Sequence, residues 1–135
     1  MSQENVERIR DAVVAYNRGD LDAFLDEYWT DDIDYRAVEG APDDHGPIHG
    51  KAEMRAYLQD WFDTFDDLKI EPLEVIDAGQ DQAVAVVRFG GRAKLSGVEV
   101  DLTFAALYTV RDGKVARGRE YWTRAEALKA AGLTE

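Results

Sequence analysis

The stretch Leu68-Lys-Ile-Glu-Pro-Leu-Glu-Val75 decides the fold, because the pattern of apolar side chains slips within it. Leu68 and Ile70 alternate with charged residues, which is typical of a half-buried β-strand. After the proline, Leu73 and Val75 continue the alternation with the opposite parity. A slip of one residue indicates a β-bulge and a bent strand. The stretch therefore predicts a sheet that curves.

Three amphipathic helices are predicted before this strand. Apolar residues recur at three- and four-residue steps in segments that end near Gly19, near Tyr28 and near Phe65. A short strand over 33–38 and a loop over 39–50 separate the second helix from the third, and the loop holds two of the three prolines. The first half of the chain thus supplies the helices that a curved sheet could enclose.

Three further strands are predicted after the bent one, over 83–89, 98–110 and 114–122. The Asp112-Gly113 dipeptide between the last two is typical of tight hairpin turns. Thr123-Arg-Ala-Glu126 matches a capping box and predicts a short C-terminal helix. The predicted fold is α+β, in one domain over residues 1–135: a cone-shaped, curved antiparallel sheet wrapped around three N-terminal helices. Such a cone leaves a hollow between sheet and helices.

Composition excludes several functional classes. The 135 residues include 28 acidic and 16 basic side chains, and the formal charge of -12 would repel nucleic acid and an anionic membrane surface. With no cysteine, no leader and no long apolar run, we expect a cytoplasmic protein. We expect no cofactor and no metal, since no phosphate or dinucleotide motif occurs. Asp43, Asp44, His45 and His49 share a loop, but their spacing does not set a metal geometry.

Short motifs at both ends of the chain carry a family resemblance. Gly46-Pro-Ile-His-Gly50 leads into the third predicted helix, and Glu120-Tyr-Trp-Thr123 closes the last predicted strand. With the turn Tyr16-Asn-Arg-Gly-Asp-Leu21 and the order of elements, they make the sequence resemble the nuclear-transport-factor-two-like superfamily, closest to its SnoaL-like branch. Its members include ketosteroid isomerases, polyketide cyclases, dehydratases and epoxide hydrolases, besides noncatalytic binding proteins. The resemblance implies the fold and leaves the reaction open.

The ketosteroid isomerases use a tyrosine, an aspartate base and a protonated aspartic acid. By spacing, the three roles fall near Ala12, Ala37 and Thr103, which cannot perform this proton chemistry. Ordinary ketosteroid isomerase activity is therefore not expected.

Strand parity suggests two other polar groups for the hollow. Arg88 shares its parity with Val84 and Val86, so it faces the hollow if they do. Glu120 shares a face with Trp122, and the resemblance implies that this tryptophan lines the pocket. Together, Arg88 and Glu120 could orient a polar ligand, or they could form a buried ion pair that satisfies itself.

Four residues are the candidates for catalysis. We expect Glu120 to transfer a proton, or Asp34 if the strand register is shifted. Tyr16 would donate a hydrogen bond, and Arg88 would hold developing negative charge. The candidate ligand contacts are Tyr35, Tyr57, Trp61, Trp122, Met54, Leu58, Thr103 and Leu107.

These patterns predict a protein that binds a small apolar molecule carrying a carbonyl or a hydroxyl. The chemistry would be that of an isomerase, cyclase or lyase, and the alternative is a noncatalytic carrier or dimeric assembly module. Ala85, Val87 and Phe89 alternate with the set that contains Arg88, and so are predicted on the convex face. An apolar convex face would favour a homodimer.

Overall fold

The computed structural model of the chain describes residues 2–133. Within this range the elements are, in chain order, α1 (Ser2–Asn17), α2 (Leu21–Tyr28), β1 (Trp29–Arg36), β2 (Ile48–His49), α3 (Gly50–Thr64), β3 (Phe65–Gly79), β4 (Gln82–Ala93), β5 (Glu99–Arg111), β6 (Lys114–Tyr121) and α4 (Arg124–Ala130). The predicted α+β architecture is confirmed. The main differences are that β1 begins directly after α2, and that the predicted loop contains the short β2.

The strands form one sheet in the order β2-β1-β6-β5-β4-β3. The consecutive strands β3 to β6 pair antiparallel. β1, however, runs parallel to β6, so the prediction of a wholly antiparallel sheet is wrong for this pair. The chain passes through α3 and four strands between β1 and β6, and no tight turn fixes their relative direction.

The bend of β3 curves the open sheet around α1. Its register against β4 shifts between Pro72 and Glu74, which confirms the predicted bulge. The side chain of Asn17, the last residue of α1, forms two hydrogen bonds with the backbone of Ile70 in the bent strand. Its Nδ2 donates to the carbonyl of Ile70 at 2.9 Å, and its Oδ1 accepts from the amide of Ile70 at 2.8 Å.

The outer face of the sheet is partly covered by α4. Thr123 and Glu126 form a capping box at the start of α4, which confirms the prediction. Ala127 and Leu128 of this helix pack in one buried cluster with Val84 of β4. The C-terminal helix therefore shields apolar side chains that point away from the hollow.

The parity predicted for β4 is inverted. Ala85, Val87 and Phe89 face the hollow, whereas Val84 and Arg88 point to the outer face. Both sets contain small apolar residues, so alternation separates the two faces without saying which one is inside. The apolar convex surface from which a homodimer was predicted is thus not formed by Ala85, Val87 and Phe89.

No helix within residues 2–133 has both the length and the apolar character that a bilayer-spanning segment requires.

Candidate functional site

A cavity of about 130 Å³ lies between the helices and the concave face of the sheet. Its wall is mostly apolar and is built from α1, α2, α3, the strands β1 and β3 to β6, and the loop that follows β1. The aromatic side chains of the wall are Tyr16, Phe24, Trp29, Tyr35, Tyr57, Trp61, Phe89, Phe104, Tyr108 and Trp122. Such a mixture of apolar surface and a few polar groups is typical of small-molecule sites.

Glu120 of β6 is the central polar group of the cavity. The Tyr35 hydroxyl donates a hydrogen bond to Glu120 Oε2, and the backbone N–H of Val38 favours the charged form of the carboxylate and so lowers its pKa. Burial raises the pKa of Glu120 to about 7, against the lowering effect of the Tyr35 hydrogen bond; the charge of Asp43 adds to the rise. An acid with this pKa exchanges protons readily at neutral pH.

Tyr16 of α1 and Tyr108 of β5 place two hydroxyl groups at the same cavity. Burial, followed by the nearby charge of Glu120, raises the pKa of both phenols above the ordinary value, so both stay protonated. Within residues 2–133, neither hydroxyl has a hydrogen-bond partner. Both are therefore available as donors to a bound molecule.

Asp43 is a second carboxylate on the cavity wall. It accepts a hydrogen bond of 2.6 Å from the hydroxyl of Tyr57, which comes from α3. Sequence reasoning considered Asp43 only as a weak metal ligand. Its loop has no periodic pattern from which an inward direction could be predicted.

The loop that carries Asp43 is held by its neighbour, Asp44. Arg36 donates to both carboxylate oxygens of Asp44, at 3.2 and 3.0 Å. The backbone amides of Gly40 and Gly46 donate to the same carboxylate at 3.0 and 3.1 Å. The Arg36 hydrogen bonds, with these two amides, hold the pKa of Asp44 well below its usual range. The loop therefore has a fixed shape that does not depend on Asp43.

Gly118 of β6 makes room for two of the tyrosines. A Cβ at this position would lie 2.5 Å from the Tyr35 ring and 3.2 Å from the Tyr108 ring. Both tyrosines are register partners of Gly118, one on each neighbouring strand. The missing side chain thus lets both rings lie flat over the sheet.

Trp29, where β1 begins, contributes a buried polar atom without a partner. The residue is 4% exposed, and within residues 2–133 its indole Nε1 has no hydrogen-bond acceptor. A buried unsatisfied donor costs roughly 1–3 kcal/mol. Such an atom at the cavity wall marks a further place where a bound molecule or water could accept a hydrogen bond.

Three predicted site residues lie on the outer face. The guanidinium of Arg88 is bidentate to Asp101, at 2.8 and 2.7 Å, and more than half of its side chain is exposed. Thr103 is the register partner of Arg88 on β5 and shares its face. Leu107 packs with the buried cluster under α4. The inverted parity of β4 and β5 explains all three errors, and Arg88 cannot hold charge inside the cavity.

Asp34 also lies outside the cavity. Its carboxylate accepts from Arg119 at 3.2 and 3.3 Å, and lies 3.6 Å from Arg117 and 3.8 Å from His49. Because the β1 register sends Tyr35 inward and Asp34 outward, the shifted register that would have made Asp34 a proton-transfer group does not occur.

The structure brings the remaining predicted residues together at the cavity. They are Glu120, Tyr16, Tyr35, Tyr57, Trp61, Trp122, Met54 and Leu58. Their placement follows the predicted geometry, while their roles in binding or catalysis stay predictions. Asp43 and Tyr108 were missed. Tyr108 shares the parity of Leu102 and Phe104 on β5, which also line the cavity, but alternation alone did not show which face of β5 is inside.

The loop that carries Asp43, Asp44, His45 and His49 does not form a metal site in the described residues. Among the described residues, no three His, Cys, Asp or Glu side chains converge closely enough to hold a metal ion.

An α+β cone with a largely apolar cavity and one half-buried acid defines the general class of this protein. The chain belongs to the SnoaL-like domain family, whose model matches residues 7–118. The wider SnoaL-like and nuclear-transport-factor-two-like fold family includes isomerases and cyclases. No curated protein sequence matches the chain significantly.

Solved structures share the whole fold at low identity. A nuclear-transport-factor-two-like protein from Burkholderia xenovorans LB400 is 25% identical, with a TM-score of 0.73, over 97% of this chain and 98% of that one. One of unknown function from Burkholderia pseudomallei is 20% identical, with a TM-score of 0.76, over 93% and 95%. A protein of ketosteroid isomerase-like fold from Catenulispora acidiphila, in complex with trimethylamine, is 17% identical, with a TM-score of 0.72, over 94% and 93%.

Proposed function

We propose that the protein binds a small, largely apolar molecule with a carbonyl or hydroxyl group, and that Glu120 transfers a proton within it. The reaction class is that of a cofactor-independent isomerase, cyclase or lyase. The observation that carries the proposal is the carboxyl of Glu120, which lies in an apolar cavity with a pKa raised by burial to about 7. A general base is most effective when its pKa lies near the working pH.

The proton transfer follows from the groups around Glu120. Its carboxylate removes a proton from a carbon next to the carbonyl, and the electron pair of the broken C–H bond forms an enolate. A hydroxyl of Tyr16 or Tyr108 donates a hydrogen bond to the enolate oxygen, the role first expected of Arg88. Protonated Glu120 then returns the proton to the same carbon, which gives exchange or epimerisation. Where the substrate also has a C=C bond between its β- and γ-carbons, the enolate is a dienolate, and return of the proton to the γ-carbon moves the double bond and leaves an isomer. Either route restores the carboxylate.

The cavity volume restricts the size of the substrate. An apolar protein cavity of about 150 Å³ is large enough for benzene. A cavity of about 130 Å³ therefore suits a single ring or a short branched chain.

Proton exchange in deuterated water tests the proposal without knowledge of the natural substrate. Cyclopentanone and cyclohexanone serve as probes, and NMR follows deuterium incorporation next to the carbonyl. We expect protein-dependent exchange that increases as the pH rises through about 7, because the carboxylate is the active form. Glu120→Gln should slow it about 100-fold or more.

Arg88→Ala is the matched control, since Arg88 lies on the outer face of the same sheet. It should leave the exchange rate unchanged. Equal rates for wild type and Glu120→Gln would contradict the proposed chemistry.

A noncatalytic carrier is the second candidate function. It is favoured by the Tyr35 hydroxyl, which already donates to the Glu120 carboxylate and could hold it as a structural group. A carrier would bind the ketones without exchange, and Glu120→Gln would not affect that result.

A cytoplasmic homodimer remains part of the proposal. The convex face still carries the exposed pair Arg88 and Asp101 beside the apolar cluster under α4. Native mass spectrometry would show the dimer mass if it forms, and a monomer at micromolar concentration would contradict it.

A further inference from the structure

We infer that the cavity selects a small organic cation, an alkylammonium group, and that Asp43 and Glu120 together recognise its charge. This inference rests on the proposed function, because it assumes that the cavity binds a ligand, and it narrows the ligand to one with a protonated or quaternary amine. The charge, the arrangement and the aromatic character of the cavity wall favour such a ligand.

The charge of the cavity wall has one sign. Asp43 and Glu120 line the cavity, and within the described part of the chain no lysine, arginine or histidine does. The arginines closest in sequence to these acids are engaged elsewhere: Arg36 binds Asp44, and Arg119 binds Asp34. An anionic ligand would therefore meet repulsion and no counter-charge, whereas a cation would meet two carboxylates.

The two acids occupy the same end of the cavity. Tyr35 donates to Glu120 and Tyr57 donates to Asp43, and the two tyrosine rings are 6.2 Å apart between centroids. The charge of Asp43 contributes to the raised pKa of Glu120, which is further evidence that the carboxylates are close. A cation placed beside the two rings would interact with both acids and relieve their mutual repulsion.

Asp43 has no evident structural task that would explain its charge. The hydrogen bonds that hold its loop, from Arg36, Gly40 and Gly46, all go to Asp44. Within residues 2–133, Asp43 accepts only through Oδ2, from Tyr57, and Oδ1 accepts no hydrogen bond. One carboxylate oxygen at the cavity wall is therefore free to face a cation.

Aromatic rings provide the second half of an ammonium site. Ten of the residues that line the cavity are aromatic, and ring faces attract ammonium groups, most strongly when water is excluded. A phenol that donates to a carboxylate has a more electron-rich ring, which applies to both Tyr35 and Tyr57. The formal charge of -12 also raises the local concentration of cations around the protein.

Three probes of nearly equal size and shape but different charge test this inference: tetramethylammonium, tert-butanol and pivalate. Their binding is measured by ligand-observed NMR, with calorimetry where affinity allows. We expect tetramethylammonium to bind about tenfold more tightly than tert-butanol, and pivalate to show no binding. Addition of salt should weaken the binding of tetramethylammonium and leave the binding of tert-butanol unchanged.

Two variants show whether the cavity recognises the charge of a ligand or only its shape. Asp43→Asn keeps a hydrogen-bond acceptor for Tyr57. It should lower the affinity for tetramethylammonium about tenfold without changing the affinity for tert-butanol. Asp101→Asn removes the same charge from the outer face and is the matched control, with no expected change for either probe.

The outcomes separate this inference from the proposed function. If tert-butanol or cyclohexanone binds and tetramethylammonium binds no more tightly, the cavity is a ligand site but the inference is wrong. Unchanged cation affinity in Asp43→Asn also overturns it. If no probe of any charge binds, the proposed function itself fails.

Discussion

The two faces of the sheet treat charged side chains in opposite ways. On the outer face Arg88 binds Asp101 and Arg124 binds Glu74, and these side chains are between 40% and 58% exposed. On the concave face the carboxyl of Glu120 accepts a hydrogen bond from the Tyr35 phenol, and no cation reaches it from the described residues.

This difference shows where the protein retains an energetically costly group. Exposed ion pairs contribute about 0–1 kcal/mol, so the outer pairs could be removed with little effect. A buried, unpaired carboxyl lowers stability whenever it is ionised. Groups of this kind are concentrated at functional sites, and Glu120 is the clearest example in the described chain.

The largest effect is expected from filling the cavity. Ala85→Leu adds a bulky side chain to the cavity wall and should abolish binding of cyclohexanone. Val86→Leu adds volume at the next residue, whose side chain packs with the cluster under α4, and should leave binding intact. NMR titration of both variants measures the contrast, and thermal unfolding checks that each is folded. Retained binding in Ala85→Leu would place the ligand elsewhere.

The second largest effect is expected in the pH dependence of the free energy of unfolding, and it comes from Glu120. Folding raises the pKa of Glu120 from 4.5 to about 7. The unfolded chain therefore loses this proton at lower pH than the folded one, so the free energy of unfolding falls as the pH rises from about 4.5 to 7. The shift corresponds to a loss of the order of 3 kcal/mol above pH 7.

Glu120→Gln should remove this loss, because glutamine does not titrate. Urea denaturation of both proteins at several pH values gives the comparison, and we expect the variant to gain relative to wild type between pH 4.5 and 8. A constant difference in stability over that range would mean that Glu120 is not buried as described.

The smallest effect concerns the outer face. Thr123→Ala removes the side-chain acceptor that caps α4 and should cost about 1 kcal/mol of stability. Thr123→Ser keeps the hydroxyl and should cost much less. Since α4 covers only the outer face, tert-butanol affinity should be the same in both variants; a change would show that the two faces are coupled.

The fold could be predicted from sequence because several independent local signals agree. The parity slip at Pro72 predicts the bulge, and Thr123 with Glu126 predicts the capped last helix. The residues of the site were harder to predict from the sequence. On β4, Val84 and Ala85 are both apolar, so alternation alone could not say which one faces the cavity. The position of Asp43 depends on the hydrogen bonds to Asp44, which bring together residues that sequence spacing does not relate.

The tryptophans of the chain have an optical consequence. The sequence contains three, and all three line the cavity: Trp29 is 4% exposed, Trp61 is half-buried against Phe89, and Trp122 is 49% exposed. The intrinsic tryptophan emission of the protein therefore originates entirely at the cavity wall. A molecule that enters from the Trp122 side should shift the solvent-sensitive, red part of the spectrum first. The protein carries its own fluorescent reporter of ligand entry.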